Sequence, residues 1–259
     1  MSQKIPSILA LDFDGVICDG LIEYFVSTKQ AYQQIWSEAV DDSLAPMFYR
    51  LRPVIETGWE MPILLRALVL GIAEVEILEN FQAIALQITE SEGLTKQAVV
   101  QQLDRVRDSW IENDLADWLK LHRFYPGVIE RLQQIVNSAV ELYIITTKEG
   151  RFAQKLLTQQ GINLSMAQII GKESKRPKYE TLRILRDRHQ QPGGDISIFF
   201  VEDRLKALQQ VIQQTDLESV ELFLADWGYN LQGDRYLASQ SQRIQILSLE
   251  QFQQNFTAW

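Results

Sequence analysis

Short apolar runs that break off in a carboxylate or a hydroxyl constrain this chain more than any other feature. Residues 8–11 end in Asp12, residues 142–145 in Thr146, and residues 196–201 in Glu202 and Asp203. Runs this short, apolar on both faces and abruptly polar at one end, read as buried strands of a parallel sheet. Two more, 220–224 and 244–247, read the same way, the last as an edge strand followed by a short helix. Helical patterns fall between them, over 128–135, 152–160, 179–189 and 205–213, with Gly161 as a stop signal. Strands alternating with helices predict an α/β fold built on a doubly wound parallel sheet.

The first strand stands apart from the others. From about Gly20 to Arg123 apolar residues recur at helical spacing, as in Val99, Leu103, Val106 and Trp110. The pattern predicts four or five helices and almost no strand. The simplest architecture is a core of residues 1–19 and 124–259 with a helical cap domain, 20–123, inserted after strand one.

In such sheets ligands bind outside the carboxyl ends of the strands. The residues expected there are Asp12 and Asp14, Thr146 and Thr147, and Glu202 and Asp203. Several acids converging on one crevice repel each other, and a divalent cation resolves the conflict. Oxygen-only ligands suit magnesium. Asp12 and Asp14 are two residues apart, so their side chains share a direction while Phe13 points into the core. One carboxylate can then attack while the other handles a proton, and Gly15 permits a sharp turn.

These residues resemble the signatures of the haloacid dehalogenase-like (HAD) hydrolase superfamily. Leu11-Asp12-Phe13-Asp14-Gly15-Val16 is similar to the first, and Ile144-Ile145-Thr146-Thr147-Lys148 to the second. Ser174-Lys175-Arg176-Pro177-Lys178 is similar to the third, and Phe199-Phe200-Val201-Glu202-Asp203 to the fourth. Ala225-Asp226-Trp227-Gly228-Tyr229 and Tyr125-Pro126-Gly127-Val128 look like stretches of phosphoglycolate phosphatase-like members. The motifs fall in order over nearly the whole core, whereas the cap matches only in position and helical texture. The resemblance implies a Rossmann-like core with a C1-type cap and phosphoaspartyl chemistry, as in the phosphoglycolate phosphatase and beta-phosphoglucomutase branch.

It also implies roles. Asp12 is the expected nucleophile. Asp14 is the acid and then the base, and its backbone carbonyl a metal ligand. Thr146 binds phosphoryl oxygens, with Thr147 and Lys148 beside it at a helix start. Lys175 and Lys178 both fit the active-site lysine. Lys178 is preferred because it stands four residues before Leu182, a spacing resembling the phosphoserine phosphatase branch. Asp12, Asp14, Asp203 and Glu202 form the expected Mg2+ site, Glu202 standing in for an acid that many relatives carry where this chain has Ala207. Arg50, Arg52, Glu56 and Glu60 read as a solvated helix face, with substrate contact as the alternative, and Cys18 as a small buried residue.

Composition narrows the partners. A net charge of -9 disfavours nucleic acid. One cysteine and two histidines allow neither an internal disulfide nor a structural zinc site. No apolar run is long enough for a membrane helix, and the N-terminal residues lack a cleavable signal layout. The expectation is a cytoplasmic enzyme, without nucleic-acid or membrane partners, that hydrolyses a small phosphorylated metabolite. The alternatives are a phosphomutase sharing the aspartyl phosphate and a catalytically silent protein that keeps only the fold.

Overall fold

The computed structural model describes residues 5–189 and 196–259. The N-terminal residues Met1-Ser2-Gln3-Lys4, read above as lacking a signal layout, lie outside this range. The chain divides into two compact units, Met1–Asp19 with Phe124–Trp259, and Gly20–Arg123.

In chain order the elements are β1 (Ile8–Leu11), β2 (Cys18–Asp19), α1 (Leu21–Trp36), α2 (Ala45–Leu51), α3 (Glu60–Val69), α4 (Glu74–Ser91) and α5 (Lys96–Lys120). Then come β3 (Arg123–Phe124), α6 (Val128–Val136), β4 (Glu141–Ile145), α7 (Gly150–Gln159), β5 (Ile169–Ile170), α8 (Lys178–His189) and β6 (Ile198–Glu202). The last are α9 (Leu205–Ile212), β7 (Val220–Ala225), α10 (Gln232–Ser239), β8 (Ile244–Leu247) and α11 (Leu249–Phe252).

Six strands make one sheet in the order β5-β4-β1-β6-β7-β8, and every pairing is parallel. This is the α/β fold the alternating pattern predicts. Both faces of the sheet are covered, which is why the strands read as continuous apolar runs. Ile8, Ala10, Ile198, Phe200, Leu222 and Leu224 pack with Leu182 of α8 and Leu208 of α9 on one face. On the other, Phe199 and Phe223 meet Trp259, with ring centroids 6.2 and 5.5 Å away.

β1 lies between β4 and β6, with Leu11 opposite Ile144 on one side and Val201 on the other. The chain fills one side of β1, through β4 and β5, before crossing to β6. The crevice at that reversal is where such sheets bind ligands. The register brings the residues just past Leu11, Ile145 and Val201 to one end of the sheet.

Four elements are missing from the sequence reading. β2, β3 and β5 are only two residues long and carry no periodic signal. α10 contains Gly233, and Ala238 is its one buried residue, so it has almost no apolar stripe.

The Gly20–Arg123 unit has its own core, including Tyr32, Phe48, Leu51, Leu64 and Trp118. Glu23 is fully buried in it. Its carboxylate accepts hydrogen bonds from Ser27 Oγ at 2.6 Å, Arg107 Nε and Nη2 at 2.8 and 2.9 Å, and Trp118 Nε1 at 3.1 Å. α1 and α5 are thereby tied through one acid. Glu23→Ala removes an acceptor shared by three side chains and is expected to cost about 3 kcal/mol. Urea unfolding measures this, and an unchanged midpoint would mean the network adds no net stability.

The four charged residues read as a solvated face separate. Arg50 is an exposed partner of Glu74 at 2.9 Å. Glu60, in contrast, is buried. It accepts the Glu56 and Thr57 N–H groups at 2.6 and 2.7 Å, so it closes the turn that starts α3. Donors left over at a helix start explain a buried acid there.

Candidate active site

The end of β1 turns at once. Asp12 N donates to Val201 O at 2.9 Å, the last tie to the sheet, and the Ile17 and Cys18 N–H groups fold back onto Phe13 O. Phe13 and Cys18 are fully buried. Gly15 has φ +91°, and a Cβ there would lie 2.2 Å from Asp203 Oδ2, so only glycine fits. The turn presents Asp12 to the acids at the end of β6.

Asp12, Glu202 and Asp203 are all buried, and each offers one oxygen within 4.8 Å of the others. A lysine ammonium is set among them. Lys178, the first residue of α8, places Nζ 2.7 Å from Asp12 Oδ1 and 2.6 Å from Glu202 Oε2. The other oxygen of Glu202 accepts the Arg204 N–H at 3.0 Å.

Burial dominates the electrostatics. It pushes the Asp12 carboxyl up to about 7, against the pull of Lys178 and with the charge of Glu202 adding to it. Glu202 is likewise pushed up to about 7 by burial, with Lys178 opposing and Asp203 adding. Burial, then the charge of Asp12, raises Asp203. Burial works against the Lys178 ammonium, but attraction to Asp12 and Glu202 outweighs it and holds the group protonated. Three buried acids set against the charges of Lys178 and Arg204 leave the cluster short of positive charge.

Asp203 shows where more positive charge would fit. Its Oδ2 accepts the Tyr229 N–H at 2.8 Å, while its Oδ1 is buried with no hydrogen-bond donor. An unpaired carboxylate oxygen inside a protein is costly, and a cation in an all-oxygen site would satisfy it. The residues present therefore fit a hard divalent ion.

The loop after β7 holds Asp203 in place. Asn230 Nδ2 donates to Asp203 O at 3.1 Å and to Ala225 O at 2.8 Å, and Tyr229 Oη donates to Asp19 at 2.9 Å. A Cβ on Gly228 would sit 2.3 Å from Asp203 Cβ and 2.5 Å from Gly15 O. The Trp-Gly-Tyr stretch thus packs directly against the acid loop. Sequence reading noticed the stretch but gave it no task. Asn230 was missed, and its one signal is a polar residue soon after an apolar strand.

On the other side of β1, Thr146 is buried and its N–H donates to Ile170 O. Its Oγ1 accepts the Lys148 N–H at 3.1 Å, which leaves the hydroxyl hydrogen to donate elsewhere. Lys148 Nζ lies 3.2 Å from Asp14 Oδ1 and 3.4 Å from Oδ2. Gly150 N, at the start of α7, donates to Glu173 Oε1 at 2.8 Å, so a carboxylate closes that helix end.

The structure thus gathers Asp12, Lys178, Glu202 and Asp203 around one point and joins Lys148 to Asp14. Thr147 and Lys175 are exposed, and Lys175 takes a left-handed backbone with φ 52°. Of the two candidate lysines, Lys178 meets the acids. The lysine at a helix start aims its side chain back over the preceding turn, toward the β6 end.

Comparison with known proteins follows the same lines. A family model described as haloacid dehalogenase-like hydrolase matches residues 70–210, a span that holds Thr146, Lys178, Glu202 and Asp203 and begins after Asp12. The chain is similar to the phosphoglycolate phosphatase of Vibrio parahaemolyticus, 21% identical over 199 residues, which are 76% of this chain and 75% of that one. It is similar to that of Vibrio vulnificus at 22% over 193 residues, 73% of each chain. Two solved structures share its fold. A protein described as a predicted phosphatase from Clostridium acetobutylicum has a TM-score of 0.59 at 12% identity, covering 96% of this chain and 97% of its own. One described as a predicted phosphoglycolate phosphatase from Haemophilus somnus has a TM-score of 0.55 at 17% identity, covering 89% and 88%.

Proposed function

The chain belongs to the haloacid dehalogenase-like hydrolase family and is a phosphatase, and on that premise we propose that it hydrolyses a small phosphate monoester with magnesium through an aspartyl phosphate on Asp12. The observation that carries this reading is the buried trio Asp12, Glu202 and Asp203 with a single ammonium, Lys178, between two of them. Its charge suits an incoming cation and, with that cation, an anionic phosphoryl group.

The Asp12 carboxylate attacks phosphorus, forming a new P–O bond as the ester P–O bond breaks. Asp14 gives its proton to the departing oxygen, so an alcohol leaves. It then takes a proton from the water that cleaves the aspartyl phosphate. The Thr146 hydroxyl and the Lys178 ammonium stabilise charge on the phosphoryl oxygens. Asp12, Asp203, the Asp14 carbonyl and Glu202 would hold magnesium, which supplies positive charge against the phosphoryl group. Among the described residues no helix is long and apolar enough to cross a membrane.

The test is release of inorganic phosphate from a panel of phosphorylated metabolites headed by phosphoglycolate. Removing magnesium with a chelator should slow release about 100-fold or more, the equivalent of the several kcal/mol a bound cation supplies. A phosphomutase would isomerise the ester without net phosphate release. Failure of every substrate in saturating magnesium would sink the reading.

A further inference from the structure

We propose that Lys148 is a positioning residue for the proton shuttle, holding the Asp14 carboxyl group in the orientation that serves the leaving oxygen, and not a binder of the phosphoryl group. The inference rests on the phosphatase reading above.

The sequence places Lys148 with the phosphate binders, because it follows Thr146 at a helix start. The geometry gives it a different neighbour. Its Nζ spans both oxygens of Asp14, at 3.2 and 3.4 Å. The side chain is 9% exposed and that of Asp14 15%, so water competes poorly for either. Among the described residues, Lys148 is the one hydrogen-bond donor that reaches the Asp14 carboxylate.

The lysine is itself held. Its N–H is fixed by Thr146 Oγ1 at 3.1 Å, and its carbonyl accepts the Lys172 N–H at 2.9 Å. Its ammonium lies 6.0 Å from the centroid of the fully buried Phe13 ring. A flexible side chain is thereby confined at both ends. Lys178 already supplies the cation that faces Asp12, so the two lysines divide the work.

A shuttle acts only when its oxygen faces the reacting atom, and small displacements are costly. During transfer to Asp12 the ester P–O bond breaks, and the departing oxygen takes the Asp14 proton. An alkoxide cannot leave without that proton. A nitrophenolate is stable enough to leave with no proton at all. Loss of shuttle orientation therefore penalises alkyl esters selectively, whereas loss of phosphoryl binding penalises every ester alike.

The experiment compares kcat/KM for glycerol 3-phosphate or phosphoglycolate with that for p-nitrophenyl phosphate, in saturating magnesium, for wild type and Lys148→Met. Lys148→Gln and Lys148→Arg are measured beside them, with a thermal melt of each. General acid catalysis contributes about 100-fold or more, so the alkyl-to-aryl ratio should fall by about 30- to 100-fold in the Met and Gln variants. Lys148→Arg, which restores a cation, should recover most of the ratio. Equal losses on both esters in the folded variants would overturn the proposal, and a parallel rise in the inhibition constant of inorganic phosphate would give Lys148 to the phosphoryl group. Should wild type release phosphate from no ester of the panel above, the phosphate-monoester reading fails and takes this inference with it. Wild-type activity with an unshifted ratio defeats the inference alone.

Discussion

Asp12→Asn is expected to reduce phosphate release by about 10⁵-fold, the scale seen when a nucleophile is removed. The amide matches the carboxylate in shape but cannot attack phosphorus. The loss has to be separated from misfolding. Asp12 is buried beside Glu202 and Asp203, and a neutral amide escapes the burial that raises this carboxyl and the repulsion of Glu202, which together outweigh the attraction to Lys178 that it gives up. The metal-free variant should therefore melt no lower than wild type. Single-turnover release from a clean preparation is the measurement. More than about a hundredth of wild-type activity would show that another group attacks.

Lys178→Met carries the second large effect, on stability and rate together. Its ammonium touches Asp12 at 2.7 Å and Glu202 at 2.6 Å, and both acids are buried. Removing one partner of a buried ion pair costs about 3–5 kcal/mol, which should appear as a lower urea midpoint in metal-free protein. The rate should fall about 10²- to 10³-fold, because a charge aimed at the phosphoryl group has gone. Magnesium should restore stability more than rate. A second cation can balance the acids, but it does not replace a donor held at the position of Nζ. An unchanged metal-free midpoint would mean that the acids do not depend on Lys178 for their balance.

The sheet and the acid cluster at its end were legible in the sequence for a common reason. A parallel strand buried on both faces is a short apolar run, and the polar residue that stops it, such as Asp12 or Thr146, lies at the sheet end where such folds bind ligands. Two kinds of feature were hidden. β2, β3, β5 and α10 are too short or too polar to carry a period. The side-chain pairings depend on contacts between residues far apart in the chain: Glu23 with Arg107, Lys148 with Asp14, Lys178 with Glu202. Glu23 carries no signal in the sequence that marks it as buried, and nothing there assigns Arg107 to it. The choice between Lys175 and Lys178 was of the same kind. It turned on the loop before α8, where Lys175 adopts a left-handed conformation and stays at the surface.

The central position of β1 also governs how the molecule comes into being. Ile8–Leu11 is made first, yet Leu9 pairs with Leu142 on one edge and Phe199 on the other. During synthesis this strand must wait, apolar and unpaired, until most of the polypeptide has been translated. Pairings so distant in sequence are slow to form, and waiting strands are prone to aggregate. The Gly20–Arg123 segment, with its own buried core, can condense in the interval, leaving less loose chain for the closing search. A nascent chain that ends before β6 has neither Glu202 nor Asp203 to set beside Asp12. Strand order alone thus keeps the proposed site from assembling in unfinished protein.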